Sequence, residues 1–246
     1  MKFLVTGGAG YIGSHMVKFL LSKNHEVTVF DNLSTGKLIN NKVNFIKVDL
    51  INRKKLDQLM SKKKFDAVFH FAALSIVNVS EKEPRKYYIN NVIGTKNLIN
   101  SMLKYKINNL IFSSSASVYG VPKTKKILET HQMKPISEYG RNKKEIEKFL
   151  TLVGKKKNFK SISFRYFNAA GADGSAKIGE NHKPETHLIP KILNSIKHKQ
   201  KKVYIYGNSY KTIDGTCVRD YIHIMDLAEG HISAMEYLMN NKPQKL

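Results

Sequence analysis

The chain has 246 residues, 41% of them hydrophobic, enough to bury a substantial core, which excludes a disordered polymer. No apolar run approaches the roughly 20 residues that cross a bilayer, and the first residues, Met1 to Gly7, enter a strand instead of a leader. The formal net charge is +23, yet only five of the 42 basic residues are arginine, and the lysine runs Lys62 to Lys64, Lys155 to Lys157 and Lys199-Gln200-Lys201-Lys202 fall at expected helix ends and loops, which reads as a solvated surface and not as a nucleic-acid face.

An apolar strand near Phe3 to Thr6 leads through a glycine turn into a helix with Ile12, Met16, Phe19 and Leu20 at helical spacing. Further strands are predicted near Glu26 to Phe30, Asn44 to Val48, Ala67 to Phe71, Leu110 to Ser113 and Ser161 to Arg165. Helices are predicted after Asn52, from about Val92 to Lys104, and around Tyr139 to Leu152. This alternation predicts an α/β fold with a doubly wound, Rossmann-like parallel sheet whose ligands lie beyond the carboxyl ends of the strands. Past Phe167 the texture turns to Gly, Asp, Asn and His; a helix, a short strand at Val203 to Tyr206 and a last helix capped by Asp226 follow. The expected organisation is a dinucleotide-binding domain over 1–166 and a smaller, incomplete substrate region over 167–246.

Gly7, Gly10 and Gly13 stand between strand and helix, where glycine lets the backbone approach a pyrophosphate. Asp31 closes the next strand, 18 positions after Gly13, placed to accept hydrogen bonds from an adenosine ribose. A carboxylate there repels a 2′-phosphate, so NAD is expected over NADP, with Asn32 and Thr35 supporting the ribose edge. Further along, Tyr139 and Lys143 are four residues apart and share a helix face. Ser113-Ser114-Ser115 ends a predicted strand 24 residues earlier, bringing a hydroxyl to the phenol. Together they read as an oxidoreductase-type site in which the ammonium makes the phenol acidic enough to serve as a base. The single cysteine, Cys217, forms no internal disulfide, and the nine histidines show no paired zinc spacing. A cytoplasmic chain without a bound metal is expected.

Longer blocks carry a resemblance: Val5 to His15, Asp31-Asn32-Leu33, His70-Phe71-Ala72-Ala73, Tyr87 to Thr95, Phe112 to Gly120, Arg165 to Asn168 and Asp214 to His223. Over its whole length the chain resembles the extended short-chain dehydrogenase/reductase family, within it the nucleotide-sugar epimerases. The resemblance implies that Tyr139 is the acid/base, Lys143 its electrostatic activator and a ribose ligand, and Ser115 a relay to the sugar hydroxyl. It implies that Tyr11, Ile12, Asp49, Leu50, Phe71, Ala72, Asn90 and Phe167 line the NAD pocket, and that Asn168, His187 and Arg219 hold a UDP-sugar. The implied reaction is inversion at C4 of UDP-galactose or UDP-glucose through a transient 4-keto sugar. The implied assembly is a homodimer, for which the helices at 91–104 and 144–152 are the ones to inspect.

Three positions depart from the family pattern. Ser75 stands where a lysine often helps bind NAD, His187 where an asparagine contacts the uridine diphosphate, and Asn142 where serine is usual. The chain stops at Gln244-Lys245-Leu246, about three-quarters of the way through a typical family length, so the sugar pocket is expected to lack segments. A 4,6-dehydratase is disfavoured because Ser115 is followed by Ala116 and Ser117 instead of an acid pair. A uronate epimerase, a decarboxylase and a non-catalytic NAD-binding protein stay open.

Overall fold

Alternating side chains along short strands build the architecture. In a computed structural model that describes residues 1–37, 43–122, 124, 126–182, 184–198 and 202–240, six strands form one parallel sheet: β1 (Lys2–Thr6), β2 (Glu26–Asp31), β3 (Asn44–Lys47), β4 (Ala67–His70), β5 (Asn109–Ser113) and β6 (Lys160–Phe164). Their order is β3-β2-β1-β4-β5-β6. The predicted strands are all present, each within a residue or so of its expected ends. Lys199 to Lys201 and the terminal Gln244 to Leu246 lie outside the described residues.

Successive strand residues point to opposite faces, so each face acquires its own core. Leu4, Phe30, Val68, Leu110 and Phe112 meet α2 (Arg53–Met60), α5 (Gly94–Lys104) and α6 (Glu138–Lys156) on one side. Phe3, Val5, Val29, Phe69 and Ile111 meet α1 (Tyr11–Ser22) and α8 (Ile224–Asn240) on the other. Asn52 caps α2 by accepting from the Lys55 amide at 3.0 Å, and Ser137 caps α6 by accepting from the Gly140 amide at 3.1 Å. Glu138 in the first turn of α6 and Lys155 and Lys156 in its last turn suit the helix dipole. The strand order reverses between β1 and β4, which opens a crevice at their carboxyl ends.

Several local expectations change. The helix expected from Val92 begins at Gly94, preceded by α3 (Val77–Lys82), α4 (Pro84–Tyr87) and a π-helical turn over Tyr88–Ile93. Val203 to Tyr206 is not a strand: its side chains are exposed, and it pairs with no strand among the described residues. In its place β7 (Asn168–Ala170) pairs in parallel with β8 (Tyr221–His223), segments too short for alternation to reveal. The last helix starts at Ile224, which puts Asp226 in its first turn instead of at the cap. That helix, although it follows residue 167, packs on the main sheet.

Two buried imidazoles make stability depend on pH. His231 stacks on Phe164 at 4.2 Å, and burial pushes it down to about 4 against a bonded Leu227 carbonyl. His70 lies between the hydroxyls of Thr6 and Thr95; burial, helped by Lys143, pushes it down to about 3. Both rings titrate near 6.5 when exposed, so below that pH the unfolded chain binds more protons and stability falls on acidification toward pH 4, by at most about 1.4 kcal/mol per pH unit per ring. Urea midpoints at pH 7 and pH 5 test this: His231→Phe should narrow the gap between them, and an unchanged gap contradicts the assignment.

Candidate active site

The turn from β1 into α1 closes only on glycine. Gly7 has φ +73°, and a Cβ there would sit 2.5 Å from the Ala72 amide nitrogen; a Cβ at Gly13 would sit 2.1 Å from the Gly7 carbonyl oxygen. Gly10 is the N-cap of α1 and brings no side-chain cap, which leaves the first amides of the helix free for an anion. Asp31 accepts from the Ala9 amide at 3.0 Å and from the Leu33 amide at 2.7 Å, so its carboxylate is fixed at the crevice. Asn32 donates to Asp49 at 2.9 Å.

Two adjoining cavities run along the strand tips. Gly7, Gly10, Asp31, Asn32, Thr35, Asp49, Leu50, Phe71, Ala72 and Asn90 line the first. Tyr11, Ile12, Gly13, Ser115, Tyr139, Lys143, Phe167, Asn168 and His187 line the second, 260 Å³ in volume, as does Ser75. Gly7, Gly10, Thr35, Phe71 and Ala73 belong to both, which makes one continuous cleft. A glycine cradle, a fixed carboxylate and a cleft of this length fit an extended dinucleotide such as NAD. Of the sequence-predicted residues, Arg219 alone is not brought in: it is exposed and donates to the Val218 carbonyl at 2.9 Å.

At the inner end, Lys143 is buried, donates to the Ser113 carbonyl at 2.6 Å, and lies 4.8 Å from the centre of the Phe112 ring and 5.6 Å from that of Tyr139. Burial pulls its ammonium down to about 7, and Glu147 one turn along opposes that. Tyr139 is pushed well up, first by burial and then by Tyr166, with the Ser115 hydroxyl working the other way. Burial thus outweighs the neighbouring charge at this phenol, because both groups share a poorly solvated pocket; the sequence expectation counted on the cofactor's positive charge beside that of Lys143. Tyr166, which bonds the Ser113 hydroxyl, is itself pushed up to about 12 by burial.

Three supporting sets were not expected from the sequence. Glu147 accepts from Ser114 and from Arg165, whose Nη2 is 2.6 Å away, while Arg165 also donates to the Tyr119 hydroxyl at 2.9 Å. The spacing Lys143 to Glu147, one helical turn, is the signal that would have found it. Asn91, within the π-helical turn, accepts from the Leu74 amide at 2.8 Å and donates to its carbonyl at 2.9 Å, which shapes the cleft wall. Tyr11 donates to the Gly171 carbonyl at 2.7 Å and His15 lies 3.1 Å from the Ile178 carbonyl, so α1 anchors a loop that carries Glu180, His182, Glu185 and His187. Of the departures, Asn142 is buried, and its Nδ2 has no hydrogen-bond partner among the described residues.

Residues 3–245 match the profile described as the NAD dependent epimerase/dehydratase family. UDP-glucose 4-epimerase of Halalkalibacterium halodurans is 45% identical over 239 residues, 97% of this chain and 72% of that protein. Among solved structures, UDP-glucose 4-epimerase from Brucella ovis in complex with NAD matches with a TM-score of 0.91 at 41% identity, covering 97% of this chain and 74% of that one. The enzyme from Bifidobacterium longum in complex with NAD+ and UDP matches with a TM-score of 0.91 at 34% identity, covering 96% and 74%.

The glycine cradle supplies a test. Gly13→Ala forces a methyl into the Gly7 carbonyl, so NAD binding measured by calorimetry should weaken by about tenfold or more, equivalent to at least ~1.4 kcal/mol. Binding as tight as in the parent chain would show that the turn does not hold the dinucleotide.

Proposed function

The chain belongs to the NAD dependent epimerase/dehydratase family, and from that membership we propose that it interconverts UDP-galactose and UDP-glucose by inverting C4 with NAD as resident cofactor. The observation that carries the reading is the convergence of Ser115, Tyr139 and Lys143 on the cleft that begins at the glycine cradle. The named enzymes that match over nearly the whole chain support it. The alternatives raised by the sequence gain nothing from the site.

Tyr139 takes the proton from the sugar O4, and Ser115, which already eases its ionisation, bonds the same oxygen. Lys143 would bond a cofactor ribose hydroxyl, and its charge would favour the phenolate. NAD held in the cleft would supply the chemistry of taking up a hydride from C4 and giving it back, so that C4 is inverted with no net oxidation. Inversion requires the sugar to turn while the nucleotide end stays held, a task for Asn168 and His187 on the cleft wall. Asn168 is itself fixed, its side chain donating to the Asp220 carbonyl at 2.9 Å. Arg219, next to Asp220 in sequence, lies outside the cleft lining and is left without a role. The same reading takes the enzyme as a cytoplasmic homodimer paired through α5 and α6; among the described residues no helix is long and apolar enough to cross a membrane.

Purified protein incubated with UDP-galactose and no added NAD should form UDP-glucose. Tyr139→Phe should lower turnover by about 10²–10⁴-fold while leaving NAD bound. Parent protein that holds NAD but forms no product, or a Tyr139→Phe variant as active as the parent, would overturn the assignment. Lys143→Met, in contrast, should weaken NAD binding as well as turnover, because it removes both a ribose ligand and a charge; unchanged NAD affinity would remove the ribose role.

A further inference from the structure

A short loop ahead of α7 (Leu188–Lys197) gathers four metal-ligating side chains that the chemistry above leaves mostly unused. Glu180, His182, Glu185 and His187 lie within eight consecutive residues, and one donor atom from each falls within 4.8 Å of the others. The His182 Nδ1 is 3.1 Å from Glu180 and 3.9 Å from Glu185; the His187 Nδ1 is 2.5 Å and 3.6 Å from the same two carboxylates. Donors about 2.0–2.2 Å from a tetrahedral zinc ion lie about 3.3–3.6 Å from one another. The separations bracket that value: His182 to Glu180 has to open slightly, His182 to Glu185 to close slightly, and the largest change is at Glu180 to His187, which has to open by about 1 Å.

A second observation separates this group from a plain ion-pair cluster. The His182 Nδ1 atom is covered, although 28% of the side chain is exposed, and among the described residues it has no well-aligned hydrogen-bond partner, while lying 3.1 Å from Glu180 and 3.9 Å from Glu185. Glu185 is already oriented: it accepts from the backbone amides of Thr186 at 2.8 Å and His187 at 2.9 Å, the outer-sphere support that ligating carboxylates need. The two rings meet edge to face at 5.3 Å.

The geometry points to a divalent transition-metal site of the zinc class at the rim of the cleft, held by Glu180, His182, Glu185 and His187. The donor set selects the ion: two imidazoles with two carboxylates suit zinc or cobalt, whereas magnesium and calcium take oxygen ligands almost alone. Glu180, His182 and His187 also line the cleft, so the ion would place positive charge beside any anion bound there. The sequence search missed the set because it sought paired Cys and His and not alternating Glu and His. The donor geometry does not rest on the proposed reaction, although His187 is shared with the nucleotide grip proposed above.

Metal-stripped protein titrated with cobalt chloride alone should bind one equivalent per chain and show the intense visible bands of four-coordinate cobalt, which zinc chloride should then bleach. His182→Ala and Glu185→Gln, each checked for folding by circular dichroism, should lose those bands and weaken binding about tenfold or more. His198→Ala, an exposed histidine outside the loop, should retain them. Parent protein without the bands, or a folded His182→Ala or Glu185→Gln variant that keeps them, would leave only two imidazoles balancing two carboxylates and overturn the proposal.

Discussion

Lys143 carries its ammonium to a place where 2% of the residue reaches solvent, held 2.6 Å from the Ser113 carbonyl at the end of β5. A buried charge is costly unless it is paired and hydrogen-bonded. Here the offset comes from Glu147, one turn further along α6, whose charge raises the Lys143 ammonium against burial. Glu147 is in turn kept in place by Arg165 and Ser114. The strand ends β5 and β6 and the helix α6 are thus tied together by one chain of charges, and Tyr139 takes its position from the same helix. Loss of Glu147 would leave the Lys143 and Arg165 cations uncompensated beneath the cleft.

The outer half of the cleft obeys a different constraint, close backbone approach. Gly7 and Gly13 bring β1 against α1 so tightly that no side chain fits, and the Asp31 carboxylate fastens the loop from the far side through the Ala9 amide. One half of the site is therefore built from backbone and sterics, the other from buried charge. A dinucleotide lying across both would bring its own positive charge to the end where Tyr139 is held neutral by burial. On the proposed reading, that added charge would offset the burial that holds the phenol up.

The sheet was legible because parallel strands buried on both faces read as short apolar runs, and the glycine turn, Asp31 and the Tyr139 to Lys143 spacing are local patterns. What stayed hidden depends on distance in sequence. Arg165 and Glu147 meet only because β6 lies beside β5, and Asn91 is useful only because a π-helical turn aims it at Leu74. The exposed Val203 to Tyr206 run shows the opposite failure, since β-rich composition without a neighbouring strand makes no ladder. Arg219 sat inside a long matching block, yet its side chain ends on the surface, because a block of sequence does not fix where an exposed loop points.

On the proposed reading, Tyr139 becomes a base only when the cofactor's charge adds to that of Lys143. Ultraviolet difference titration of the tyrosines, in the NAD-free and NAD-saturated protein, tests it most directly. One phenolate, absent from Tyr139→Phe, should ionise near neutral pH with NAD⁺ bound and stay protonated well above the usual tyrosine range without it. A phenolate that titrates at the same pH in both forms would contradict the account.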